Sequence, residues 1–381
     1  MNKTRLAKTL SLGLVALAAG CSMAPKYERP EAPAATDWPG LRMARTLADS
    51  PAATTSTAVQ TMAAADIEWQ TFFNDPKLRQ LIEAALRNNR DLRIAVLNIE
   101  QARAQFQIRR ADQFPTIGAS ATGTRQPAAG GTISSVYTAG LAMTSYEIDF
   151  FGRVASLKDA ALSQYLATEE GRKTAQISLV ATVANTYLAL LADEESLAIT
   201  QQTLSTREDS FKLSQLRFDN GVTSELDLRQ AQSLTEAARI SLAQLQRQRA
   251  QDANLMTLLI GQPLTPELAV ALPAGQGLAD APIMADVPAG LPSDLLTKRP
   301  DIRQAEQQLL AANANIGAAR AAFFPRISLT ASAGSVSTRL SGLFESGTYG
   351  WTLAPQLFLP LFDAGRNRAG LDTANVNRDI A

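Results

Sequence analysis

The chain has 381 residues and a balanced charge, 36 lysine plus arginine against 36 aspartate plus glutamate, so its net charge does not draw it to nucleic acid or anionic substrates. It has no histidine and a single cysteine, which excludes serine-histidine-aspartate triads, cysteine-histidine dyads, histidine-bearing zinc sites and intrachain disulfides. No catalytic, metal or cofactor role is expected.

Residues 1–20 read as a secretory signal. Lys3, Arg5 and Lys8 form the basic start, Thr9 to Ala19 the apolar run, and Ala18-Ala19-Gly20 the small residues before cleavage. The run is too short to span a bilayer as a helix. Cys21 follows at once, so the segment resembles a bacterial lipoprotein signal in which this cysteine becomes the acylated N-terminus. Ser22 stands where an aspartate would resemble an inner-membrane retention signal, which points to the outer membrane. Residues 23–66 are rich in alanine, proline and threonine. They have too few large apolar groups to form a core and should lie extended over the rest of the chain.

Asp75-Pro76 marks a helix start, with aspartate as N-cap and proline at the first helical position. Leu78, Leu81, Ile82, Ala85 and Leu86 then recur at helical spacing. A further helix should run from near Asp91 to just before Pro115. There the period changes to two: Ile117, Ala119 and Ala121 alternate with Gly118, Ser120 and Thr122, the pattern of a strand with one apolar face. A loop with Pro127, Gly130 and Gly131 leads to a second strand-like run, Tyr137 to Ile148.

From Arg153 to Asp219 there is no proline and Gly171 is the sole glycine, so one helix of ~100 Å is expected at about 1.5 Å per residue. Leu190, Leu197, Leu204, Phe211 and Phe218 fall seven apart, and Ile177, Val180, Ala184, Tyr187 and Leu191 alternate threes and fours, a coiled-coil stripe. Asn220-Gly221 supplies a left-handed stop, and Ser224 with Asp227 a helix start, so the chain should return as Glu225 to Ile260. This is a very long helical hairpin.

An internal repeat follows. At a constant offset of 210, Asp91, Arg93, Ala102, Arg110, Phe114, Pro115 and Ile117 are matched by Asp301, Arg303, Ala312, Arg320, Phe324, Pro325 and Ile327. The second copy has a third strand, with Ile327, Leu329, Ala331 and Ala333 on one face, and a fourth carrying Trp351, Leu353, Leu357, Leu359 and Leu361. FFGR at 150–153 is echoed by DAGR at 363–366, where strand passes into helix. The division expected is a signal at 1–20, a lipidated strap at 21–66, a first repeat at 67–262, and a linker with an incomplete second repeat at 263–381. Only fifteen residues follow Arg366, so the second long hairpin is missing and a chain shortened from a longer parent is expected.

Each strand is near the ~9 to 11 residues that cross a bilayer, and no transmembrane helix is expected downstream of the signal. Four strands cannot close, and an open edge in lipid leaves backbone groups unpaired, so chains must pool their strands. Two chains would give a filled eight-strand barrel, and three a twelve-strand barrel with a bore.

PKYERP at 25–30, ADQFPTIG at 111–118 with AAFFPRIS at 321–328, FDNGVTSELDL at 218–228 and VPAGLPSDLLTKRPDI at 287–302 resemble the TolC-like outer-membrane efflux factors, in the OprM-like lipoprotein branch. The resemblance implies a mainly α fold with membrane β: a trimeric α/β barrel of long helical hairpins and four transmembrane strands per chain. It further implies a passive outer-membrane channel, reaching into the periplasm and exporting drugs or solvents. Its partners would be a periplasmic adaptor and an inner-membrane resistance-nodulation-division transporter. By position, Asn220, Gly221, Val222 and Thr223 match the adaptor-docking tip and Cys21 the acylated residue. The family's acidic gate would lie beyond Ala381.

Alternatives are a channel for type I protein secretion, a non-assembling fragment, a trimeric stalk or adhesin, and an acid/base enzyme using Asp193 with Glu194 and Glu195. The stalk predicts one C-terminal barrel segment, whereas strand hairpins interrupt these helices twice. The three carboxylates are consecutive on a helix and point in different directions, so they read as a solvated face.

Overall fold

The computed structural model describes residues 22–30, 67–127, 131–275, 277–278 and 297–381. The signal, Cys21 and residues 31–66 lie outside the described residues, as does most of the linker. Two compact units divide the chain: residues 1–32, 98–169 and 302–381 form one, and residues 33–97 and 170–301 the other.

The helices are α1 Trp69–Phe72, α2 Pro76–Asn88, α3 Arg90–Ala111, α4 Arg153–Asp219, α5 Glu225–Ile260, α6 Pro266–Ala271, α7 Pro300–Ala321 and α8 Arg366–Ile380. The strands are β1 Ile117–Pro127, β2 Ile133–Ile148, β3 Arg326–Ser337 and β4 Tyr349–Phe358. The second strand begins four residues before the expected Tyr137, and the fourth ends before Leu359 and Leu361.

In the second unit, α2 starts as its sequence requires. The Asp75 carboxylate accepts from the backbone N–H of Lys77 at 2.8 Å, and Pro76 occupies a position whose N–H would go unused. The core joins Leu78, Leu81 and Ile82 of α2, Leu179, Val183, Tyr187 and Leu190 of α4, and Met256 and Ile260 of α5. Burying each large side chain contributes about 1.5–3 kcal/mol. The chain leaves α5 through Gly261 at φ 78°, where a Cβ would lie 2.4 Å from the Asn88 carbonyl oxygen. Only glycine allows that approach.

Helix α4 corrects two expectations. It contains an 18-residue window of mean hydropathy 1.5, long and apolar enough to cross a membrane. Residues 174–192 carry no charge; Leu179, Val180, Val183, Ala184, Tyr187, Leu190 and Leu191 from that stretch pack into the core as one face of the helix, and 33% of the apolar window is buried. Ile177, placed on the stripe by spacing, is 58% exposed. The stripe also thins towards the turn: Leu190 is 2% and Leu197 7% exposed, whereas Phe218 is 37% exposed.

The first unit holds the sheet, ordered β1-β2-β3-β4 and antiparallel throughout. Across the strands, Ala119, Leu141, Ala333 and Trp351 are in register, as are Ile117, Met143, Ala331 and Leu353. Residues in register share a face, so the alternation read from sequence assembles into one apolar surface.

Residues 22–30 lie along α7. Asn313 Nδ2 donates to the Pro25 carbonyl at 2.8 Å, Arg320 to that of Met23 at 3.4 Å, and Tyr27 and Arg29 both donate to Glu306. Rising position in the strap meets falling position in the helix, so the two run antiparallel. Gly317 makes room: a Cβ there would lie 2.6 Å from Ser156 Oγ and 2.8 Å from Ala24 N.

Candidate functional site

The two faces of the sheet differ in chemistry. One continues the apolar rows with Leu329 beside Tyr146 and Pro355, then Ile327 beside Ile148 and Leu357. On this face Ile117 is 66%, Leu141 59%, Trp351 71% and Leu353 57% exposed, which is favourable against hydrocarbon and unfavourable against water. The opposite face carries Gly118, Ala142, Ser332 and Thr352 in one row and Ser120, Gly140, Gly334 and Gly350 in the next. Thr122 and Thr138 join hydroxyls there at 2.6 Å. Small and hydroxylated side chains leave this face open to water.

Gly140 and Gly334 stand opposite each other, and a Cβ on either would lie 2.3 or 2.2 Å from a carbonyl oxygen of the partner strand. The two backbones approach more closely than a side chain permits.

A β-bulge decides what lies at the end of the polar face. The register shifts between Met143 and Tyr146, and Ser145 takes φ 53° with its N–H donating to Thr330 Oγ1 at 3.3 Å. One extra residue exchanges the faces. Tyr146 and Ile148 therefore join the apolar side, and Glu147 points to the polar side beside Ser328. There its carboxylate binds Arg153 of α4 at 2.7 and 2.8 Å and also pairs with Arg326 of β3. Among the described residues, Glu147 and Arg326 are the only charged ones on the polar face of the paired strands, and they neutralise each other. Phe151, just after β2, and Phe324, just before β3, stack at 4.8 Å.

At the far end of the hairpin, Asn220, Gly221, Val222 and Thr223 form the α4–α5 turn. Gly221 adopts φ 72°, and its N–H and that of Val222 bond back to the Phe218 and Arg217 carbonyls at 2.9 and 2.8 Å. Ser224 and Asp227 form a reciprocal capping box. The Ser224 and Thr223 hydroxyls hold the Asp227 carboxyl below its usual range. Val222 is 74% exposed, an apolar side chain at the apex.

The acidic triplet is not the uniform solvated face expected. Glu195 is exposed, but Glu194 is largely buried and pairs with Arg249 of α5, while it also accepts from Gly275 N at 3.2 Å. Asp193 is partly buried, and its Oδ2 is buried without a hydrogen-bond partner. Spacing along α4 could not reveal this, because the burial comes from α5. Cys21 lies outside the described residues.

A sheet with one face for lipid, one for water and its outer strands unpaired among the described residues, built into a long-helix protein, defines a subunit of an outer-membrane channel. The chain belongs to the outer membrane efflux protein family, whose model matches residues 81–262 and 291–381. It lies in the OprM-like branch. The toluene efflux pump outer membrane protein TtgC of Pseudomonas putida is 46% identical over 97% of this chain and 75% of its own. Outer membrane protein OprJ of Pseudomonas aeruginosa is also 46% identical, with the same coverage. Among solved structures, a membrane protein from Pseudomonas aeruginosa superposes with a TM-score of 0.80 at 44% identity, over 94% of this chain and 78% of that one. The open state of the Neisseria gonorrhoeae MtrE channel gives 0.77 at 40%, over 94% and 77%. The chain is accordingly an outer-membrane component of an efflux pump, with the TolC-like α/β barrel channel fold.

Proposed function

We propose that the chain works as a homotrimer, passively conducting drugs, solvents or other toxic compounds from a periplasmic adaptor and a resistance-nodulation-division transporter to the exterior. The observation that carries this is the two-faced sheet with unpaired outer strands: three copies supply twelve strands, remove every edge and enclose a water-filled bore. The names of the relatives support the substrate class, since toluene and antibiotics are what their pumps export. Residues 67–262 and 263–381 act as two repeats of one design, and Cys21 carries the acyl chains. Asn220, Gly221, Val222 and Thr223 form the tip that meets the adaptor, with Val222 offering an apolar contact.

The test is the detergent-extracted mass of the 381-residue chain from purified outer membranes, followed by conductance in planar bilayers. A trimer that conducts supports the reading. A monomer, or a trimer with no conductance, overturns it. Sensitivity to toluene in cells lacking the chain then tests the substrate class.

A further inference from the structure

Three cross-helix contacts set the register of the α4–α5 hairpin: Glu194 with Arg249, the Arg207 carbonyl with Thr235 Oγ1 at 3.2 Å, and Glu208 with Arg239 at 2.9 Å. Asp252 lies three residues beyond Arg249, so this register turns its carboxyl towards Asp193, and the two groups are in hydrogen-bonding contact. Arg249, which faces them, is committed to Glu194. Gln248 Nε2 donates to Asp252 Oδ2 at 3.0 Å, and Asp193 Oδ2 is buried with no donor. Two carboxylates in contact repel strongly unless one proton lies between them, and a buried acceptor without a donor is costly. One proton resolves both.

We propose that Asp193 takes up a proton against Asp252 as pH falls, making a proton-binding clamp that ties α4 to α5 and strengthens on acidification. The groups facing Asp193 are Asp252 and Arg249 from α5 and Glu194 on its own helix. Among the described residues, the loop after α6 adds no charged side chain and reaches Glu194 and Glu195 through the N–H groups of Gly275 and Leu278. Burial first, and then Asp252, push the Asp193 carboxyl above its usual range. The folded chain therefore binds more protons than the unfolded chain from the ordinary aspartate value, ~3.9, upwards. Stability falls through that window as pH rises. A periplasmic hairpin would thus be tightest in acid and loosest in alkaline medium.

The test uses the full chain in detergent, comparing wild type with Asp193→Asn, Asp252→Asn and Glu195→Gln by thermal unfolding from about pH 4 to about pH 9, a range that spans the carboxyl's shift. An asparagine at either position keeps a donor without a charge. Each Asn variant is expected to flatten the pH profile and raise Tm near pH 8 by about 2 °C or more, while Glu195→Gln follows wild type. Infrared spectra of the wild type should hold a protonated-carboxyl band that grows on acidification and that Asp193→Asn diminishes. Profiles parallel to wild type in both Asn variants, or a band unchanged in Asp193→Asn, would overturn the proposal.

Discussion

The Tyr187 hydroxyl donates to Asp75 Oδ2 at 2.6 Å while the other carboxylate oxygen caps α2. A single side chain thereby starts one helix and anchors it to the middle of another. Tyr187 is only 2% exposed, and burial, then the bond to Asp75, raise its hydroxyl well above the usual tyrosine range. Tyr187→Phe should cost about 1.5–3 kcal/mol, the worth of a hydrogen bond to a charged group. The folded state also keeps its proton where the unfolded chain has lost it, so wild-type stability should decline as pH rises above ~10. The Phe variant should lose that component, and unfolding at about pH 8 and about pH 11, on either side of the ordinary tyrosine value, separates the two effects.

Replacing Gly140 or Gly334 by alanine forces the paired strands apart, because each new Cβ meets a carbonyl oxygen at 2.3 or 2.2 Å. Gly118, on the same face with nothing within 4 Å, is the control. The first two variants should reduce the folded chain recovered from outer membranes several-fold, and Gly118→Ala should not.

Glu147 balances Arg326 on the water-facing side and holds Arg153 beside it. Glu147→Gln adds one positive charge per chain at that point. Reversal potentials across a salt gradient should shift towards anion selectivity, and restoring neutrality with Arg326→Gln should reverse the shift. An unchanged reversal potential in both would place this cluster outside the conducting path.

The strap should come loose before the rest unfolds. Its Arg29–Glu306 pair is half open to solvent, so Glu306→Ala is expected to cost only about 0.2–1 kcal/mol. Proteolysis between residues 22 and 30 should nevertheless quicken, since Tyr27 and Arg29 lose their common acceptor.

Helix ends were legible in the sequence wherever one local group decides them: Asp75-Pro76, Asn220-Gly221 and Ser224 with Asp227 all act on backbone in their own turn. Strand faces were legible too, because alternation is a local count. What sequence could not reveal depends on partners far along the chain. Ile177 fits the stripe by spacing yet faces outwards, and Asp193 reads as solvated until Asp252 of the returning helix stands beside it. The strap was expected to lie over something, but α7 could not be named as its bed, because single bonds at Glu306, Asn313 and Arg320 leave no periodic signal.

The unpaired turn of backbone at Ser145 works as a half-period phase shift in an alternating code. Straightening the strand with Thr144 and Ser145 both drawn into the ladder would leave every downstream letter unchanged while inverting its meaning. Tyr146 and Ile148 would then face water, and Glu147 would be pressed towards hydrocarbon without Arg153 or Arg326 to answer it, at a cost of several kcal/mol. Deleting either residue instead removes the bulge and keeps Tyr146 opposite Leu329. A strand that lost the bulge alone would therefore fail by misreading, with its composition intact.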